Sequence, residues 1–304
     1  MAENDTRWSI PSMQIARHTD LFLSKAWLKG APAFLPSLAS DLVSDFWRGE
    51  GRPLDAFSYG TTRWLTADPV AERLVMHGFA IGAEYALVEA LPTNVRSRYE
   101  ALDLSFRSDS PTVDECSLFT EALAWLDRQP DLLETMALLV RSVHFLVSPG
   151  VGYDVSHSDP EVPFSIFVSL PTSENNAGLR LAESVLHEAM HLQLTLIEHA
   201  VPLIQDAEAK GFSPWQQKYR PVRGLMHGLY VFRVIDEWLS AVAGSERDFG
   251  QGRYVAKRRS EIAEEIAMVS DLGSSSALTE QGGHFVRWLV GDQGLGNASS
   301  INQI

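Results

Sequence analysis

One segment reads as a β-strand, Phe164–Leu170, against about eight that read as helices, and this imbalance limits the fold more than any other feature. The strand is short, rich in β-branched and aromatic residues, preceded by Pro163 and closed by Pro171. Pro149-Gly150-Val151-Gly152 marks a turn ahead of it, followed by the polar string Tyr153–Pro160. Elsewhere apolar residues recur at helical spacing. Phe34, Leu35, Leu38, Leu42 and Phe46 place a helix over Ala33–Trp47, with Pro36 in its first turn. Asp68-Pro69 reads as the N-cap and first residue of a helix reaching about Leu91. Glu115–Val147 is helical with an interruption near Pro130, and Asp131 is placed to restart it. Further helices are expected over Leu179–Ala200, from near Pro221 to just before Gly244, over Tyr254–Val269, and over Glu280–Val290 behind a Thr279 cap. The expectation is a mainly α fold with a small central β-sheet. Residues 1–148 would form a helical region and 149–292 a second region, either separate or one continuous domain with the first, leaving a mobile polar tail over 293–304.

Charge and composition exclude several function classes. With 25 Lys and Arg against 39 Asp and Glu, the formal net charge is −14. A chain this acidic gains nothing from releasing phosphate counterions, so nucleic acid and anionic membrane surfaces are not expected partners. No stretch of 18 or more apolar residues is present, and Met1–Ser12 does not look like a secretory signal. A cytoplasmic location is the expectation. The one cysteine, Cys116, cannot form an internal disulfide or a thiolate zinc site, so any metal must rest on nitrogen and oxygen ligands.

Such ligands are found in Leu186-His187-Glu188-Ala189-Met190-His191, an HExxH sequence inside the Leu179–Ala200 helix. Side chains at i and i+4 lie over one another, so His187 and His191 can offer two imidazoles to one ion, with Glu188 near the same face. Leu194 and Ile197 stand where the long zinc-protease pattern HExxHxxGxxH needs Gly and the third His, so that pattern is absent. His199 lies about 12 Å further along the axis, too far to share the ion. A third ligand must then come from another helix, where His227 and Glu237 are the candidates. Arg223 is one turn before His227 and can clamp the distal carboxylate of a metal-bound acid. Cys116 follows Asp114-Glu115, which disfavours a thiolate, and Lys257-Arg258-Arg259 reads as a solvated face. His77 and His144 read as core histidines, and Trp215 as the closure of its loop.

Four segments together resemble a known family: Leu186–Leu194 (LHEAMHLQL), Ser213–Phe232 (SPWQQKYRPVRGLMHGLYVF), Ser158–Ser169 (SDPEVPFSIFVS) and Leu278–Gly282 (LTEQG). They are similar to the HExxH-motif proteins encoded beside ribosomally synthesised, post-translationally modified peptides, described as 2-oxoglutarate-dependent peptide β-hydroxylases with non-haem iron. The resemblance spans roughly Asp154–Val290 and implies Fe(II), O₂ and 2-oxoglutarate acting on a precursor peptide. By the same resemblance His187, His191 and His227 would be the metal ligands. Arg223, or in second place Arg220, would hold the co-substrate's C5 carboxylate. The helix bearing HExxH would pack against the helix bearing the third ligand. The Phe164–Leu170 strand reads equally as an exposed edge that could add a peptide strand or as a core strand paired only internally, and His157, Ser158 and Asp159 before it lie in a loop that either lines the site or caps a turn. Two other functions stay open on the residues alone. One is a zinc metallopeptidase with Glu188 as catalytic general base and Glu237 as third ligand. The other is a non-catalytic helical binding protein.

Overall fold

The structure, a computed structural model, describes residues 31–50, 77–81, 84–88, 93–107, 111–159, 164–171, 176–244 and 251–291. A 3₁₀ turn at Ala31–Phe34 leads into α1 (Pro36–Glu50). Strands β1 (His77–Ile81) and β2 (Glu84–Val88) follow, then α2 (Thr93–Glu100), α3 (Val113–Leu126) and α4 (Pro130–Leu139). Next come β3 (Ser142–Leu146), β4 (Ser156–His157), β5 (Ser165–Ser169) and α5 (Ala177–Ala200). A hairpin of β6 (Lys210–Ser213) and β7 (Lys218–Pro221) runs directly into α6 (Val222–Ala243), and α7 (Gly252–Ala267) and α8 (Glu280–Val290) complete the order. Among the described residues the fold is mainly α with a small sheet, as expected, and no helix is long and apolar enough to cross a membrane.

The expectation of one strand undercounts the sheet. β1–β5 form one five-stranded sheet in the order β1-β2-β3-β5-β4, parallel at β2/β3 and β3/β5 and antiparallel at both margins. Residues 77–88, expected within a helix reaching Leu91, instead make the β1/β2 hairpin, while the Asp68-Pro69 start lies outside the described residues. Likewise the helix expected to run to Val147 stops at Leu139 and gives way to β3. The region read as wholly helical to residue 148 thus supplies three of the five strands, and residues on both sides of position 148 share one hydrophobic core. The expected tail at 293–304 and the side chain of His77 lie outside the description.

Local chemistry explains where the helices begin. Thr112 and Glu115 close a reciprocal capping box on α3, Pro130 opens α4 at its first position, and Thr279 accepts the Gly282 amide at the start of α8. The long helix α5 is apolar on nearly every side and is correspondingly central, packed on α1, α3, α4, α6 and the sheet. Two buried polar links tie its neighbourhood together. Gln193 donates to the Pro32 carbonyl (2.7 Å) and accepts from the Tyr230 hydroxyl, and Trp238 donates to the Trp125 carbonyl (3.2 Å).

Candidate metal centre

Helices α5 and α6 run antiparallel. Going up α5, His187 meets Phe232, His191 meets His227, and Glu198 meets both His227 and Arg223. Close approach is allowed by Gly228, where a Cβ would fall 2.6 Å from Cε3 of Trp215. That indole lies over the glycine and stacks on Phe232 (5.4 Å between rings), so Trp215 closes its loop against the site's wall.

The histidines are brought together. Nε2 of His187 and Nε2 of His191 are 3.1 Å apart, and Nδ1 of His191 is 3.1 Å from Nδ1 of His227. The first two nitrogens are close enough together that both could bond one ion. His191 stands between its partners, however, presenting opposite ring nitrogens to each. Among the described residues no three His, Cys, Asp or Glu side chains converge as a ligand set. His227 can join the pair only if its ring turns, and Glu198 holds its present orientation through a 2.9 Å contact to Nε2.

The electrostatics favour the ligating form. Burial, aided by the positive charge of Arg258, lowers His187 to about 4. His191 is held well below the usual imidazole range by burial first, then by His187, His227, Arg220 and Arg223. Both rings are therefore neutral at pH 7, with lone pairs available to a cation. Glu188 is buried (3% exposed) and pushed up to about 7 by burial, against the opposing hydrogen bonds of Ser156 and Ser158. Those hydroxyls donate to its two carboxylate oxygens at 2.6 Å each, and Oε1 is 3.9 Å from Nε2 of His187.

Glu198 was not among the expected site residues, although it lies seven positions after His191 and so on the same helix face. Burial raises its carboxyl, but the hydrogen bond and charge of His227 and the guanidinium of Arg223 outweigh that and hold it below the usual range. Arg223 therefore does not present a free cation: its Nε and a terminal nitrogen contact Glu198 Oε2 at 2.8 and 2.6 Å. Arg220 has no ion pair among the described residues, and its guanidinium lies along the helix start where Gly224 leaves room. Glu237 pairs with Arg233 (3.8 Å) and sits about 15 Å along α6 from His227. His284 is on α8 beside Glu280 (3.8 Å). The basic run is only partly a solvated face: Lys257 is 77% exposed, whereas Arg258 bonds Glu183 (2.6 Å) and lies over Phe232. No model of a known protein family matches the chain, and no curated protein is similar to it.

Proposed function

We propose that this protein is an Fe(II)- and 2-oxoglutarate-dependent oxygenase that hydroxylates a side-chain β-carbon of a ribosomally made precursor peptide. The observation that carries this reading is the pair of neutral imidazoles on α5 set beside α6, whose second turn brings a third imidazole, while β7, which runs into α6, brings Arg220, an arginine with no ion pair among the described residues. The resemblance of the HExxH and SPW…RPVRG…HG segments supports it. Ferrous iron, when bound, lets 2-oxoglutarate and O₂ become succinate, CO₂ and one oxygen atom inserted into a C–H bond. His187 and His191 would hold the metal, with His227 as third ligand after its ring turns from Glu198. Arg220 suits the co-substrate's distal carboxylate, because Arg223 is already neutralised. Trp215 and Phe232 form an apolar wall next to His187.

The arginines separate by substitution. Arg220→Gln is expected to raise the KM for 2-oxoglutarate about 10-fold or more, the scale of one charge-assisted carboxylate contact. Arg223→Gln should act mainly through Glu198 and lower metal affinity instead. Steady-state kinetics beside metal titration show the split, and the assignment fails if the two effects are exchanged.

The peptidase reading needs Glu188 as an exposed general base and Glu237 as a ligand. Glu188 instead has both oxygens occupied by serine hydroxyls, and Glu237 is paired with Arg233. Glu188→Gln keeps one acceptor of the two, so hydroxylation should fall by no more than about 10-fold, whereas a peptidase would lose its activity. The deciding assay incubates the protein with ferrous iron, 2-oxoglutarate, O₂ and a precursor peptide. One succinate per +16 Da product is expected. Peptide-bond cleavage independent of 2-oxoglutarate would overturn the proposal.

A further inference from the structure

Of the two readings of Phe164–Leu170, exposed edge or internally paired strand, the structure has the second: β5 lies between β3 and β4. The margin of the sheet next to the histidines is β4. Its register with β5 pairs Ser156 with Val168 and His157 with Phe167. One position earlier, the Ser169 amide donates to the Val155 carbonyl at 2.8 Å, which makes Val155/Ser169 a hydrogen-bonded pair. Antiparallel pairs alternate, so His157/Phe167 is hydrogen-bonded as well and Ser156/Val168 is not. The main-chain N–H and C=O of Ser156 and Ser158 consequently point away from β5, and among the described residues nothing pairs with them.

The same two residues send their hydroxyls to Glu188. Their side chains therefore occupy the face of the sheet turned toward α5, and His157 turns to the opposite face, where it meets Tyr99 and Phe167. From Ser156 Oγ to Glu188 Oε1 is 2.6 Å, and from there to Nε2 of His187 is 3.9 Å. A strand laid about 4.8 Å outside β4 would turn every second side chain toward the imidazoles.

We infer that the outer edge of Ser156–Ser158 is the docking site for the peptide substrate, which adds as a short extra strand and is held by main-chain hydrogen bonds to Ser156 and Ser158. This rests on the oxygenase reading for the identity of the occupant. An extended peptide fits this edge better than a second copy of the chain. Three residues of edge bury far less than the roughly 1,200 Å² of a stable protein interface, and Pro160, two positions on in the sequence, has no N–H to lengthen the ladder. Recognition through the main chain leaves side-chain choice to the alternate positions that face the metal site.

The test uses the full, metal-free chain and linear 12-residue peptides selected on it from a random displayed library. Binding should protect the amides of Ser156 and Ser158 from hydrogen exchange and leave that of His157, already bonded within the sheet, unchanged. N-methylation of the peptide at alternate residues should weaken binding about 10-fold or more, and methylation at the intervening residues by less than about 3-fold. Ser156→Pro and Ser158→Pro remove an outward N–H and should do the same. Ser156→Ala and Ser158→Ala remove only the hydroxyl and should bind within about 3-fold, which separates docking from the contact to Glu188. The inference is overturned by a selection that yields no binders, by peptides indifferent to both the methylation pattern and the proline variants, or by a dimer formed through β4. Peptides that dock at β4 and are never hydroxylated would sink the oxygenase reading and leave the edge intact. A hydroxylated peptide indifferent to N-methylation would do the reverse.

Discussion

His191→Ala is expected to abolish metal binding and turnover together while leaving the fold in place. His191 touches both other imidazoles, at 3.1 Å each, so its removal disconnects the whole group. Loss of a partner that merely orients a ligand costs about 10–100-fold in metal affinity, and loss of the ligand itself should exceed the top of that range. Because the ring is neutral and only half-buried in the metal-free protein, no ion pair is broken and far-ultraviolet circular dichroism should be unchanged. Competition of the protein with a chelator for ferrous iron gives the affinity, and an unaltered value would remove His191 from the site. His227→Ala should weaken the metal in the same experiment. Glu237→Ala should not, since its carboxylate is engaged by Arg233.

The largest expected effect on stability comes from Gly282→Ala. A Cβ there would lie 2.0 Å from the carbonyl oxygen of Leu203 and 2.9 Å from its carbon, so the first turn of α8 must move off the chain it caps. That carbonyl also accepts the Thr279 amide at 3.0 Å, and the Thr279 hydroxyl donates to Pro202 at 2.8 Å, so there is little slack. Overpacking costs about 1–3 kcal/mol where side chains can adjust, and a clash between two backbones belongs at the upper end or beyond, a fall in Tm of about 5 °C or more. Gly252→Ala is the matched control, also in a first helical turn but with nothing within 4 Å of the new methyl. It should leave Tm unchanged or slightly raised. Thermal melts of both variants decide it, and equal melting temperatures would refute the clash.

Much of the helical framework is legible in the chain because its signals are local. The Thr279 cap, the Pro130 start and the apolar spacing of α5 and α6 lie within a few residues of the feature they determine. The strands are less readable. β3 is buried along its whole length between parallel neighbours, and its five residues, Ser142-Val143-His144-Phe145-Leu146, follow the apolar helix α4 so closely that so short a segment does not separate from it by period. The β1/β2 hairpin did leave a signal, two residues including Gly82 between short segments, which the helical reading passed over.

For the candidate site, the sequence alone determines which chemistry is available. One cysteine leaves imidazole and carboxylate as ligands, and the i, i+4 spacing of His187 and His191 places them on one helical face whatever else the chain does. Only the tertiary structure decides how the remaining charges are spent. Glu198 and Arg223 are 25 positions apart, and their contact depends on α5 and α6 packing antiparallel at one offset. Ser156 and Ser158 reach Glu188 only because β4 closes that margin of the sheet. Local spacing follows from covalent geometry, whereas the partner of a buried charge is chosen by desolvation, which acts on whatever the fold brings within a few ångströms.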